Sequence, residues 1–133
     1  MKLLLDTNIC IALLAGREAD AVRRLRACAP RDVFLCSVVK AELYFGARNS
    51  LRVDENLSRL SVFFAAFESL TFDDAAAEEY GVIRCQLERL STPIGANDLL
   101  IAAIAVRHDA TLVTRNESEF RRVSGLRVDP WRA

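Results

Sequence analysis

Apolar positions along the chain fall into two rhythms. Runs of strand length occur at Lys2–Leu5, Val33–Cys36, Leu70–Phe72, Thr111–Val113 and Leu126–Val128. Between them, Ile9–Leu14, Ala19–Cys28, Val38–Arg48, Val53–Phe67, Ala75–Leu90 and Asp98–His108 carry apolar residues at helical spacing or consist of strong helix formers. Ser37 before Val38-Val39, Asp54 and Asp73 before Asp74-Ala75-Ala76-Ala77 supply the small polar or acidic residues expected where helices begin. Strands alternating with helices over short connections predict an α/β fold, a three-layer α/β/α sandwich around a mostly parallel sheet. Such a sheet is covered on both faces, which accounts for continuous runs such as Leu3-Leu4-Leu5 and Phe34-Leu35-Cys36 in place of alternation. Pro30, Pro93 and Pro130 all fall in connections, and no repeat or linker divides residues 1–133, so one domain is expected.

Composition narrows the picture modestly. A chain of 133 residues with 52% hydrophobic and 27% charged residues has enough apolar surface for a core and lies outside the disordered regime. Its 18 basic and 18 acidic residues cancel, so nucleic-acid binding would have to come from local asymmetry. Cys10, Cys28, Cys36 and Cys85 lack C-x-x-C spacing and lie in apolar surroundings, reading as small core residues and not as a zinc or redox motif. The longest apolar run, Leu99–Val106, is too short to span a bilayer, and no cleavable leader is visible; a cytoplasmic protein is expected.

The informative chemistry lies where apolar runs end. Asp6 terminates the first of them, and a carboxylate buried without a partner costs several kcal/mol or is forced to protonate. In open α/β sheets the ligand crevice lies beyond the carboxyl ends of the strands. Asp6, the segment from Ser37 to Glu42, the pair Asn97-Asp98, and Thr114, Asn116 and Glu119 are all expected at that edge. Asp98 stands at the mouth of a helix, Leu99–Val106, that is apolar on every face and so must be buried. A helix dipole offsets one carboxylate by about 0.3–1 kcal/mol but would not neutralise several. Gathered carboxylates without His or Cys point to a hard divalent cation, Mg²⁺ or Mn²⁺, able to activate a water for phosphodiester hydrolysis. There is no G-x-S-x-G, no Cys/His pairing and no P-loop to offer a different nucleophile or phosphate cradle.

Five segments in order carry a further signal: LDTNIC around Asp6, AELYFGA at 41–47, IGANDLLIAA at 94–103, TLVTRNESEF at 111–120 and GLRVDPW at 125–131. Together they resemble the PIN-domain ribonuclease toxins of the VapC type over nearly the whole chain. The resemblance implies a PIN-like fold, a Mg²⁺-dependent endoribonuclease acting on structured RNA such as tRNA, a VapB-type antitoxin partner and a homodimer. It makes Asp6 and Asp98 the metal carboxylates and Glu42 the third acid, with Glu119 as a fourth catalytic acid and Thr7, Asn8, Thr114 and Asn116 as supports. Many relatives carry Asp where this chain has Asn116, so one metal ion is expected.

Ordinary roles compete with each of these. Asp6 and Asp98 are also good helix-start residues, Glu42 could be a solvated helix position, and Glu119 sits beside Arg121 and Arg122. Among the basic residues, Arg115 and Lys40 are the expected RNA contacts by their proximity to the acids. His108 reads as a helix-terminal residue, and Leu57, Leu60, Phe63, Phe64 and Phe67 read as core. The competing functions are an inactive PIN-like module that only binds RNA or a partner, and another Mg²⁺-dependent phosphoryl-transfer protein. A haloacid-dehalogenase phosphatase would want a second Asp where Asn8 stands.

Overall fold

The computed structural model describes residues 1–132. Strand β1 (Leu3–Leu5) runs into α1 (Thr7–Leu14), followed by α2 (Ala19–Ala27) and a 3₁₀ turn at Pro30–Asp32. Next come β2 (Val33–Cys36), α3 (Ser37–Arg48), α4 (Val53–Ala65), β3 (Glu68–Leu70), α5 (Asp74–Arg89) and α6 (Ala96–Arg107). The chain closes with β4 (Thr111–Val113), the short α7 (Glu117–Phe120) and β5 (Val128–Asp129). The five strands form one sheet in the order β3-β2-β1-β4-β5, parallel at every pairing. The α/β class and the parallel sheet agree with the alternation in the sequence.

The central strands explain why. Leu3, Leu4, Leu5, Val33, Leu35, Cys36, Leu112 and Val113 are buried, so each had to be apolar. At the sheet margins the boundaries shift. The third strand lies at Glu68–Leu70, two residues before the expected Leu70–Phe72, and the last at Val128–Asp129 instead of Leu126–Val128. Both are edge strands, exposed on one side, where Glu68 and Asp129 cost little and apolar runs are a poor guide.

Helix α6 is the buried helix that its sequence demands, with Leu99 and Ile101 through Ala105 in the core. Leu57, Phe63, Phe64 and Phe67 pack against that core and Leu60 lies within it. Two local expectations need correction. Cys36, still extended, is the residue preceding α3, and Ser37 is its first helical residue with no capping hydrogen bond, because β2 runs straight into the helix. Cys85 is exposed on α5 and Cys28 is half-buried; only Cys10 and Cys36 are core residues, and all four thiols are free. Among the described residues no helix is long and apolar enough to cross a membrane.

The strand order reverses direction at β1: β2 and β3 extend to one side, β4 and β5 to the other. Register pairs Leu5 with Val113, so Asp6 and Thr114 leave the sheet side by side at this switch point. A parallel sheet places its ligand crevice there.

Candidate active site

Asp6 is 5% exposed and caps α1, its Oδ1 accepting from the Ile9 amide at 3.0 Å while Oδ2 accepts from the Thr114 hydroxyl. Burial pushes its pKa up; the Thr114 and Ile9 hydrogen bonds pull the other way, and the negative charge of Glu42 adds to the rise. Asp6 is thus both the helix cap and the buried carboxylate that the sequence posed as alternatives.

Glu42 is held from the neighbouring helix, its Oε1 accepting from the Thr7 hydroxyl at 2.7 Å. Thr7 is the first residue of α1 and Glu42 lies midway along α3, so this bond links the two helices across the crevice. Asp98 occupies the first turn of α6. Its pKa is raised to about 6, first by desolvation, then by a hydrogen bond with Glu119 and by the charges of Glu119, Glu42 and Asp6. Asp98 and Glu119 thus stand as neighbouring acids, one on α6 and one on α7.

Glu119 comes from α7, a four-residue helix absent from the sequence-derived elements because it is too short to show periodicity. The Asn116 side-chain amide donates to Glu119 Oε2 at 2.7 Å, and the Asn116 backbone amide donates to the Thr114 hydroxyl at 3.0 Å. Thr114 therefore ties the β4 exit to Asp6, and Asn116 ties it to Glu119. Asn8 is exposed, and its backbone amide favours the ionised form of Asp6.

The two basic residues expected at the RNA have different settings. Arg115 is engaged inside the fold: its guanidinium donates to the Trp131 carbonyl at 3.1 Å and pairs with Glu18 at 3.0 Å. Glu18 and Trp131 both have left-handed backbone, with φ of 58° and 53°, so Arg115 fastens two strained segments to the β4 exit. Lys40 lies half-buried with its ammonium 5.1 Å from the centre of the Phe64 ring. His108 ends α6, and its Nε2 lies 2.8 Å from the Thr71 carbonyl.

The charged groups acting on Asp98 are Glu119, Glu42 and Asp6, so four acids from the β1 exit, α3, α6 and α7 share one electrostatic neighbourhood. Among the described residues no three His, Cys, Asp or Glu side chains stand close enough to form a metal-binding group. The convergence is one of charge and not a closed cage of ligands. That donor set fits Mg²⁺ better than a metal needing a full protein shell, because Mg²⁺ binds through one or two carboxylates and keeps several waters. The negative charge gathered by these acids is what a hard cation would offset.

The similarities to known proteins agree with this geometry. Residues 3–126 match the PIN domain. The chain is 36% identical to Ribonuclease VapC2 of Rickettsia felis, over 98% of both chains. It is equally 36% identical to the tRNA(fMet)-specific endonuclease VapC of Shigella flexneri, again over 98% of both. Its fold matches VapBC2 from Rickettsia felis, solved bound to a DNA fragment from their promoter, with a TM-score of 0.91 at 35% identity, covering 97% of this chain and 98% of that one. A parallel sheet with acids gathered at its switch point, and likeness to these proteins from end to end, have one consistent reading: the chain belongs to the PIN-domain family, among its VapC-type ribonucleases.

Proposed function

We propose that this protein is a Mg²⁺-dependent endoribonuclease, with Mn²⁺ as an alternative ion, that cleaves structured RNA of the tRNA class and acts as the toxin silenced by a VapB-type antitoxin. The observation carrying this reading is the gathering of acids at the β1–β4 switch point, where Thr114 holds Asp6, Thr7 holds Glu42 and Asn116 holds Glu119, and where burial and these neighbours raise the pKa of Asp98. Stability alone would not select such an arrangement, whereas a cation recruited to a phosphodiester would use it. The Shigella relative's name supports tRNA as the substrate class, and the VapBC assembly supports an antitoxin partner. A homodimer is part of the same proposal.

Asp6 and Asp98 would hold the ion, with Glu42 acting directly or through a water. When bound, such a cation lowers the pKa of a water and stabilises negative charge on a phosphoryl oxygen. The protein's own residues set the stage. Thr114 and the Ile9 amide fix both oxygens of Asp6, Thr7 fixes Glu42, and Asn116 fixes Glu119. Burial, then the neighbouring Glu119, Glu42 and Asp6, favour the protonated form of Asp98, whose ionisation above about pH 6 adds a further negative charge to the site. Lys40 and Arg115 are the candidate RNA contacts, Arg115 while also paired with Glu18.

The test compares wild type with Asp6→Asn on a tRNA pool, in Mg²⁺ and then in EDTA. Fragments are expected only from wild type in Mg²⁺. Fragments insensitive to both changes would reveal a contaminating nuclease, and none under any condition would favour the inactive binding module.

A further inference from the structure

Resting on the RNA-cleavage reading, we propose that Phe45 is a stacking platform for an unpaired RNA base beside the scissile phosphate, and that Asn8 and Asn97 read that base's edge. Phe45 is 70% exposed, although α3 buries Leu43 and Ala47 on its inner side. Tyr44, one residue earlier, packs edge-on against Phe64 at 5.3 Å, whereas Phe45 lines an open cavity of about 480 Å³ shared with Thr7, Asn8, Ile11, Glu42 and Asn97. That lies within the roughly 300–1,000 Å³ typical of small-ligand sites.

The position of this cavity follows from the sequence around the acids. Asn8 lies two residues after Asp6, Asn97 directly precedes Asp98, and Phe45 is one helical turn from Glu42. Residues three apart on a helix are surface neighbours, so the Phe45 ring and the Glu42 carboxylate border the same space. Thr7, which holds Glu42 at 2.7 Å, lies in the same wall.

Its chemistry selects the ligand. A phosphate would want cations, and Glu42 would repel it. An aromatic face, the aliphatic Ile11 and two carboxamides match a neutral heterocycle, which offers a π-face and paired donors and acceptors along one edge. Single-stranded RNA is recognised in this way: bases stack on aromatic side chains, and side-chain amides pair with base edges. The adjoining cavity shares Ile11 and Glu42 and is otherwise lined by small and apolar residues together with Asn56 and the cationic Arg59 of α4; it presents no exposed aromatic face.

The experiment uses a hairpin oligoribonucleotide with 2-aminopurine at an unpaired loop position, titrated with full-length Asp6→Asn protein in Mg²⁺ so that binding is read without turnover. Fluorescence should be quenched on binding. Adding Phe45→Ala should abolish the quench and weaken binding about tenfold, while Phe45→Trp should keep both. Asn8→Ala and Asn97→Ala should flatten the preference among loop bases. Because Phe45 is exposed, its truncation leaves the core intact. Unchanged quench and affinity in the Phe45→Ala protein would overturn the proposal. So would a Phe45→Ala enzyme with intact acids that cleaves like wild type but escapes inhibition by its antitoxin, which would assign this face to a protein partner. If wild type cleaves nothing while the quench still depends on Phe45, stacking stands and the nuclease reading falls.

Discussion

Two aspartates in this protein begin with the same local structure and end with opposite environments. Asp6 and Asp73 each follow a strand and cap a helix, accepting from a backbone amide three residues on, at 3.0 Å from Ile9 and 2.9 Å from Ala76. Asp73 faces the last turn of α6, where Arg107 pairs with it at 3.3 Å. The Ala76 hydrogen bond, followed by Arg107 and His108, lowers its pKa. Asp6 is buried and faces Glu42, and its pKa is raised. Capping and the Arg107 pair together explain Asp73 completely. Capping alone leaves the charge of Asp6 unanswered, and the difference marks a functional site: a carboxylate kept for stability is given a cation, whereas one kept for chemistry retains a place for it.

The sharpest way to break this comparison is to neutralise each carboxylate in turn. Asp6→Asn or Asp98→Asn should lower RNA cleavage at least about 100-fold, because removing a group that merely orients a ligand already costs 10–100-fold. Asp73→Asn should leave cleavage unchanged; an equal loss there would mean that the two caps do not differ in kind. The Asp6→Asn protein should also keep its melting temperature, since Asn caps helices as well as Asp and the buried charge has gone.

A smaller effect should follow from removing the support and keeping the acid. Thr114→Val takes a donor from Asp6 and should cost about tenfold in cleavage rate. The acid limb of the pH–rate profile should move upward, because the lost hydrogen bond had been lowering the Asp6 pKa.

The smallest effects are thermodynamic and opposite in sign. Asp98 goes from an ordinary 3.8 unfolded to about 6 folded, so the native state holds the proton more tightly. Its contribution to stability is fully present below about pH 4 and is lost as pH rises through 6. In EDTA at neutral pH, Asp98→Asn should therefore stabilise the protein by about 1 kcal/mol after allowance for solvent screening. A melting temperature higher by roughly 3 °C would show it. Asp73, with its lowered pKa, contributes at neutral pH and loses that contribution as pH falls through its folded value. Melting curves of Asp73→Asn and wild type should thus converge in acid, and those of Asp98→Asn and wild type should converge below about pH 4. Mg²⁺ should raise the wild-type melting temperature and leave Asp98→Asn little changed.

What the sequence alone could determine was whatever burial enforces. The central strands Val33–Cys36 and Thr111–Val113 fall where their apolar runs do, and α6 is the buried helix that Leu99–Val106 demands. Asp6 and Asp98 were conspicuous because each interrupts or opens such a run. Edge strands at Glu68–Leu70 and Val128–Asp129, the four-residue α7 and the exposure of Cys85 were not legible, because partial burial imposes no pattern. Only the tertiary structure decided which partners those acids meet. Thr7 reaches Glu42 across 35 positions and Thr114 reaches Asp6 across 108, while Arg115, next to Thr114 in the chain, reaches Trp131 and Glu18. Burial acts on each residue separately and is written locally; hydrogen bonds and charge act between residues that only the closed sheet brings together.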